Sequence, residues 1–190
     1  MRQRHGRRRP DVRLLFITGS TRRRSANTAA IHTARELLGS EAAAVYDDLS
    51  DLPPFKPDGT TPAPVVDLHN ALAEADAVVF CTPEYGGRLP DSLCNLLNWM
   101  HGASAIRGKP TTWLNVEHPD AGDGADAALR SMLRAAGASI MPSGGIRVPV
   151  SHDDVGPDGY IADPGTLYRL GNAVTTIAAE LAAASRTLMV

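Results

Sequence analysis

Cysteine and aromatic side chains are scarce in this sequence, and it has no long apolar run. The chain holds two cysteines in 190 residues, and Phe, Trp and Tyr together make up 5% of it. Cys81 and Cys94 cannot cross-link a domain of this size, and neither lies in a CxxC pair or in a Cys/His cluster with zinc-like spacing. No stretch reaches the roughly 18 consecutive apolar residues that a membrane-spanning helix needs. These features exclude a disulfide scaffold, a zinc module and an integral membrane protein.

Charge is unevenly distributed along the chain, whose formal net charge is -2. Residues 1–13 hold six arginines against one aspartate, so the remainder is acidic, which argues against nucleic acid as a partner. The basic segment 1–11 lacks aromatics and periodicity and is predicted to be a disordered extension of a single domain at residues 12–190. It precedes an apolar run too short for a secretion signal, so we expect a cytoplasmic protein with no membrane partner.

Short apolar segments alternate with amphipathic ones throughout residues 12–190. The predicted strands are 14–18, 43–46, 77–81, 110–116 and a last one inside 139–150 that Pro142 and Gly144-Gly145 interrupt. The predicted helices are 27–38, 65–74, one opening at Pro90, 125–136, and a long one opening at Asp163-Pro164. The alternation predicts an α/β fold, a three-layer doubly wound domain with a five-stranded parallel sheet. With strand order 2-1-3-4-5, such a sheet binds ligands beyond the carboxyl ends of its first and third strands.

The loop after the first strand, residues 19–27 (GSTRRRSAN), is rich in hydrogen-bond donors. Its donors are the side chains of Ser20, Thr21, Ser25 and Asn27 and the cations Arg22, Arg23 and Arg24. A phosphate needs hydroxyl and backbone donors, a positive helix end and a guanidinium, and this loop offers all of them. The loop is neither GxGxxG nor GxxxxGK[ST], which argues against a dinucleotide fold and a P-loop NTPase. The alternative is that Ser25 and Asn27 merely cap the following helix.

The loop after the third strand, residues 82–90 (TPEYGGRLP), places an aromatic ring among glycines at the same edge of the sheet. Tyr85 either packs on its own loop or lines a planar ligand. Gly86 and Gly87 would let backbone N–H groups approach the edge of that ligand. Because the two unusual loops meet at the predicted crevice, the sequence favours a mononucleotide-like ligand with a flat aromatic ring.

These residues resemble the NADPH-dependent FMN reductases, a family of flavodoxin-like fold that includes quinone, azo-dye and chromate reductases. The family signature G-S-x-R-x-x-S-x-N is matched in full by Gly19, Ser20, Arg22, Ser25 and Asn27. The second signature, T-P-E-Y-N-x-S-x-P, is matched at Thr82, Pro83, Glu84, Tyr85 and Pro90, and the following helix keeps the expected Leu93, Asn95 and Trp99. The resemblance spans roughly residues 12 to 185.

The resemblance implies FMN as cofactor, NADPH or NADH as hydride donor, and a small acceptor such as free flavin or a quinone that is reduced by a ping-pong mechanism. Since the flavin carries the chemistry, no side-chain acid or base is expected. The expected cofactor-binding residues are Gly19, Ser20, Arg22, Ser25, Asn27, Pro83, Glu84, Tyr85, Gly86, Gly87, Glu117 and His118. The alternative is a non-enzymatic electron-transfer flavoprotein or flavin-binding partner protein, but Arg22 and the P-E-Y sequence favour the reductase.

The sequence departs from the family pattern at two places. Gly86 and Arg88 stand where the family often has Asn and Ser, and Asn115-Val116-Glu117-His118-Pro119 replaces an expected glycine-rich loop. Arg88 is either a solvated charge or a contact for the extra phosphate of NADPH. Both cysteines are interpreted as inert packing residues, and no group of His, Asp and Glu residues has metal-ligand spacing.

A homodimer or homotetramer is also predicted. The helix that opens at Pro90 carries apolar residues over more than one narrow face, so part of that surface should contact a second subunit. These residues are Leu93, Leu96, Leu97, Trp99 and Met100. The family resemblance points the same way.

Overall fold

The structure is a computed structural model that describes residues 12–22, 25–101, 103–116 and 124–187. The predicted basic extension, residues 1–11, lies outside the described residues. So do two of the predicted cofactor-binding residues, Glu117 and His118.

The sheet has the predicted strand order. Its strands are β1 (Leu14–Thr18), β2 (Ala43–Tyr46), β3 (Ala77–Cys81), β4 (Pro110–Asn115), β5 (Ser139–Ile140) and β6 (Ile146–Arg147). All pairings are parallel and the order is β2-β1-β3-β4-β5, with β6 also beside β4. The last predicted strand is therefore present as two short pieces. Pro142 cannot donate to the ladder, and Gly145 adopts a φ of 84°, so the backbone turns out of the sheet between them.

In the described residues, five α-helices surround this sheet, as the sequence predicts. They are α1 (Ala26–Leu38), α2 (Ala63–Glu74), α3 (Asp91–Met100), α4 (Gly124–Ala135) and α5 (Pro164–Thr187). Short 3-10 helices also occur at Leu49–Asp51 and His152–Asp154. None of the helices in the part of the chain that the structure describes combines the length and low polarity that crossing a bilayer requires.

Two apolar clusters on opposite faces of the sheet make three layers. Successive strand residues point to opposite faces, so Leu15 and Ile17 of β1 pack with α2, α3 and α4, whereas Leu14 and Phe16 pack with α1 and α5. Both faces are covered, which is why β1 and β3 are apolar at nearly every position. The doubly wound three-layer prediction is confirmed.

The apolar residues of α3 are buried by other parts of the same chain. Leu93, Leu96, Leu97, Trp99 and Met100 are all buried, with at most 7% exposed. Part of this burial comes from the proline-rich connection after β2, which α3 holds with hydrogen bonds from Asn95 and Trp99. The amide oxygen of Asn95 accepts the Phe55 N–H at 2.8 Å, and the Trp99 indole N–H donates to the Pro53 carbonyl at 2.8 Å.

This burial corrects the physical reason given for a dimer. The expectation that α3 would leave part of its apolar surface for a second subunit was wrong, because the connection covers the extra face. The dimer or tetramer itself stays a prediction, and it now rests on the family resemblance.

Candidate active site

The carboxyl ends of β1 and β3 are joined directly, which brings the two unusual loops side by side. The Gly19 N–H donates to the Cys81 carbonyl at 2.7 Å, one residue beyond the paired strands. A Cβ on Gly19 would lie 2.4 Å from the Thr82 hydroxyl oxygen and 2.7 Å from its Cβ. Glycine is therefore required here because the first loop starts in contact with the second.

The first loop folds back on the N-terminus of α1. Ser20 is buried, and its hydroxyl accepts the Arg22 N–H at 3.2 Å. Ser25 is the N-cap, since its hydroxyl accepts the Thr28 N–H at 3.1 Å, and the Thr28 hydroxyl in turn donates to the Arg22 carbonyl at 2.9 Å. The capping role that the sequence left open for Ser25 is thus real. Thr21 and Arg22, which precede the helix, are exposed.

Asn27 lies deeper than its position in the first loop suggests. It is 3% exposed, in the first turn of α1, and its amide oxygen accepts the thiol of Cys81 at 3.2 Å. Capping of its own helix by Asn27, the second alternative from the sequence, is not what its side chain does here. The contact ties the first loop to the end of β3.

The second loop is a tight turn that presents Tyr85 at its tip. The Tyr85 N–H donates to the Arg88 carbonyl at 3.0 Å, and the turn passes through Gly86 and Gly87 at φ values of 59° and 77°. These left-handed conformations explain why glycine follows the tyrosine. The Tyr85 side chain is 51% exposed, and its hydroxyl accepts a hydrogen bond from Arg22 Nη2 at 3.3 Å. The expected approach of the two loops is observed.

The Glu84 side chain reaches the start of α4. Its carboxylate accepts the Ala125 N–H at 3.1 Å, where the first-turn N–H groups of a helix need acceptors. Pro83 precedes it and is buried. Glu84 was expected to contact the flavin, and the sequence did not predict its hydrogen bond to Ala125.

Gly124 lies against the second loop, a contact that the sequence reasoning missed. A Cβ at this position would lie 2.5 Å from the Gly87 carbonyl oxygen and 2.8 Å from its Cα, so α4 begins against the backbone of the second loop. Asn115 fixes the same helix to the end of β4, because its amide Nδ2 donates to the Asp126 carboxylate at 3.2 Å. The signal in the sequence was a glycine at the predicted start of a helix, where a capping residue would be more usual.

Two clefts open beside the first loop. One of about 410 Å³ lies between the two loops and is lined by Gly19, Thr21, Tyr85, Arg88, Leu89, Pro90, Asp91 and Ser92. The other, of about 580 Å³, lies towards β2 and was not predicted; its lining residues are Thr18, Ser20, Thr21, Arg22, Thr28, His32, Asp47, Asp48, Ser50, Asp51, Asp158, Gly159 and Tyr160. The larger cleft is rich in aspartate, whereas the smaller one is bounded by both signature loops.

In the described part of the chain, neither the two thiols nor any group of possible metal ligands adds a reactive centre to the site. Cys81 is fully buried, and Cys94 is half-buried on α3. Burial raises the pKa of the Cys94 thiol, Asp91 raises it further and Arg88 lowers it in part, so this thiol stays protonated at neutral pH. Among the described residues, no three of His, Cys, Asp and Glu lie close enough together to hold a metal ion.

The chain belongs to the NADPH-dependent FMN reductase family, whose model matches residues 12–153. It is an oxidoreductase of the class that uses FMN as cofactor and a reduced nicotinamide dinucleotide as hydride donor. It is 34% identical over 125 residues to a quinone reductase of Pseudomonas putida, covering 62% of this chain and 67% of that protein.

Solved structures show the same fold. The flavoenzyme NAD(P)H:(acceptor) oxidoreductase FerB of Paracoccus denitrificans superposes with a TM-score of 0.75 at 22% identity, covering 90% of this chain and 97% of that chain. A flavodoxin from the domain Archaea superposes with a TM-score of 0.57 at 15% identity, covering 89% and 98%. The flavodoxin-like fold predicted from the resemblance is confirmed.

Proposed function

We propose that this protein is an NAD(P)H oxidoreductase that reduces small acceptors, such as quinones or free flavin, through FMN held between its two signature loops. The observation that carries the proposal is the meeting of these loops across a cleft at the ends of β1 and β3. Arg22, a cation of the expected phosphate end, is within hydrogen-bond distance of Tyr85, the aromatic residue of the expected ring end. The similar quinone reductase of Pseudomonas putida supports a quinone as acceptor.

The first loop has the donor set that a phosphate group requires. Between Thr18 and Thr28 the sequence has hydroxyls, an amide and guanidinium groups but no carboxylate. The N-terminus of α1 adds backbone N–H groups and a partial positive charge. Thr21 and Arg22 remain exposed beside that helix end, and we assign them to the phosphate of FMN. The residues present therefore fit the cofactor of the family.

The second loop fits the flat end of the same cofactor. Tyr85 offers an aromatic side chain that is half exposed, and nothing in the described structure lies within 4 Å of a Cβ built on Gly86 or Gly87. Both glycines are also exposed, so a planar ring can approach the side of the loop that does not face Gly124. Glu84 and Gly124 contribute indirectly, by holding the loop against α4.

In this proposal the protein's own residues bind and orient the cofactor and the substrates, and the cofactor supplies the redox chemistry. Bound between these loops, FMN would supply the redox chemistry, with the reduced nicotinamide as hydride donor and the second substrate as electron acceptor. We propose that the nicotinamide and the electron acceptor bind one after the other in the smaller cleft, next to Tyr85. This arrangement predicts ping-pong kinetics, with parallel double-reciprocal lines at different acceptor concentrations.

Flavin content together with steady-state turnover tests this function. We expect the purified protein to be yellow, to release FMN on denaturation, and to oxidise NADPH or NADH only when a quinone or another acceptor is supplied. A protein that binds no FMN, even when FMN is added, would contradict the proposal. A flavin-containing protein that transfers no electrons from either nicotinamide would instead be an electron carrier fed by a partner.

A further inference from the structure

The thiol of Cys81 and the amide of Asn27 form a contact that the proposed function does not yet use. Cys81 is the last residue of β3 and is fully buried. Its backbone carbonyl accepts the Gly19 N–H, while its side chain lies on the face of the sheet that packs against α1. There the thiol donates to the amide oxygen of Asn27 at 3.2 Å.

We propose that Cys81 is a positioning residue, which orients the Asn27 amide so that its NH2 group serves the phosphate of the bound nucleotide. This inference rests on the proposed function, because it assumes that the first loop binds that phosphate. It assigns a role to a side chain that would otherwise count only as core packing.

The chemistry of the two ends of an amide carries the inference. The amide oxygen only accepts hydrogen bonds and the NH2 group only donates them, and they stand on opposite branches of the group. A phosphate dianion only accepts, so the NH2 group binds it and the oxygen would repel it. A donor that holds the oxygen of Asn27 therefore selects the useful orientation. The Cys81 thiol is such a donor.

The burial of the pair makes this selection effective. Asn27 is 3% exposed and Cys81 is inaccessible, so water does not readily compete for the amide oxygen. Because the thiol belongs to β3, inside the sheet, it moves little when the exposed part of the loop adjusts to a ligand. Two contacts thus orient the first loop: the thiol of Cys81 on β3 holds Asn27, and the Ser25 hydroxyl caps α1.

The test compares the affinities for FMN and for riboflavin, which lacks the phosphate. Cys81→Ala and Cys81→Val both remove the donor, and valine also keeps the volume filled if the alanine variant folds poorly. We expect each to lower FMN affinity about ten-fold, the lower end of the effect of one hydrogen bond to a charged ligand, with riboflavin affinity unchanged. Cys81→Ser keeps a donor and should retain the FMN preference. Cys94→Ala, which alters the half-buried thiol on α3, is the matched control and should change neither affinity.

A double-mutant cycle separates positioning from packing. In an Asn27→Ala background, Cys81→Val should have no further effect on the ratio of the two affinities, because the amide through which it acts is gone. An equal loss of FMN and riboflavin affinity in Cys81→Val, or an additive effect in the cycle, would overturn the inference. The ratio of the FMN and riboflavin affinities could also stay unchanged both in Asn27→Ala and in the combined Arg22→Ala and Ser25→Ala variant. In that case the proposed phosphate site is wrong, and the inference is wrong with it.

Discussion

The guanidinium of Arg22 donates a hydrogen bond to the phenol oxygen of Tyr85 at 3.3 Å, although the two residues are 63 positions apart in the chain. Each belongs to a different signature loop, and each loop follows a different strand of the sheet. The strand order places β1 beside β3, so their carboxyl ends, and the loops that follow, are neighbours. This contact links the cation expected at the phosphate to the aromatic ring expected at the flavin.

Removing the Tyr85 ring should impair the active site without unfolding the domain. The side chain is 51% exposed, so Tyr85→Ala leaves the core intact and the melting temperature close to that of the parent protein. We expect the rate of flavin reduction by NADPH, measured by stopped flow, to fall about ten-fold, because a ligand beside the loop loses its orientation. Tyr168→Ala, at an exposed tyrosine on α5, is the matched control and should reduce at the parent rate. Normal FMN binding and reduction in Tyr85→Ala would remove the second loop from the active site.

A methyl group on Gly124 should disturb the contact between α4 and the second loop. The added Cβ would lie 2.5 Å from the Gly87 carbonyl oxygen, so one of the two backbones must move. Gly124→Ala is expected to lower the free energy of unfolding by about 1 to 3 kcal/mol and to weaken FMN binding. Gly171→Ala, in the middle of α5 with nothing within 4 Å of the new Cβ, should instead raise stability by up to about 1 kcal/mol. Chemical denaturation of the two variants side by side checks this. Equal stability of both would contradict the close approach.

Glu84 should act through α4 and not as an ionic contact with the cofactor. Glu84→Ala leaves the Ala125 N–H without this acceptor and is expected to cost about 1 kcal/mol of stability. Glu84→Gln retains an acceptor oxygen and should keep most of the stability and of the flavin affinity. Thermal unfolding and FMN titration of both variants distinguish the roles. If Glu84→Gln loses FMN as strongly as Glu84→Ala, the negative charge itself is needed at the cofactor.

The basic segment at residues 1–10 should be dispensable. It contains no apolar residue beyond Met1 that could offset the entropy lost on ordering. Its deletion is expected to leave the flavin content and the melting temperature unchanged. A clear loss of either in the shortened protein would show that this segment docks on the domain.

The strands were the easiest part of the fold to predict. Ala43–Tyr46 and Ala77–Cys81 have the predicted bounds, because the polar turns on both sides of a short apolar run mark where the strand begins and ends. The first and last residues of the helices shifted by one or two positions, as at α2, where Pro62 and Pro64 obscured the start. Helix ends depend on caps, which the apolar periodicity does not report.

Contacts between loops were harder to predict. The two signature loops could be placed near each other because they follow neighbouring strands. Their contacts with α4 could not, since Glu84 and Ala125 are 41 residues apart and no sequence pattern connects them. The burial of α3 was misjudged for a similar reason. The connection that covers Trp99 is irregular and proline-rich, so its path is set by individual hydrogen bonds such as the one to Pro53.

The most direct test of the active site compares FMN with riboflavin in the combined Arg22→Ala and Ser25→Ala variant. The two substitutions remove a guanidinium and a hydroxyl from the proposed phosphate site. FMN affinity should therefore fall by about 100-fold, while riboflavin affinity, with no phosphate to lose, changes little. Both dissociation constants can be measured by quenching of flavin fluorescence on the same preparation. An equal weakening of the two ligands would contradict the assignment, because it would show that the first loop supports the fold and does not bind the phosphate.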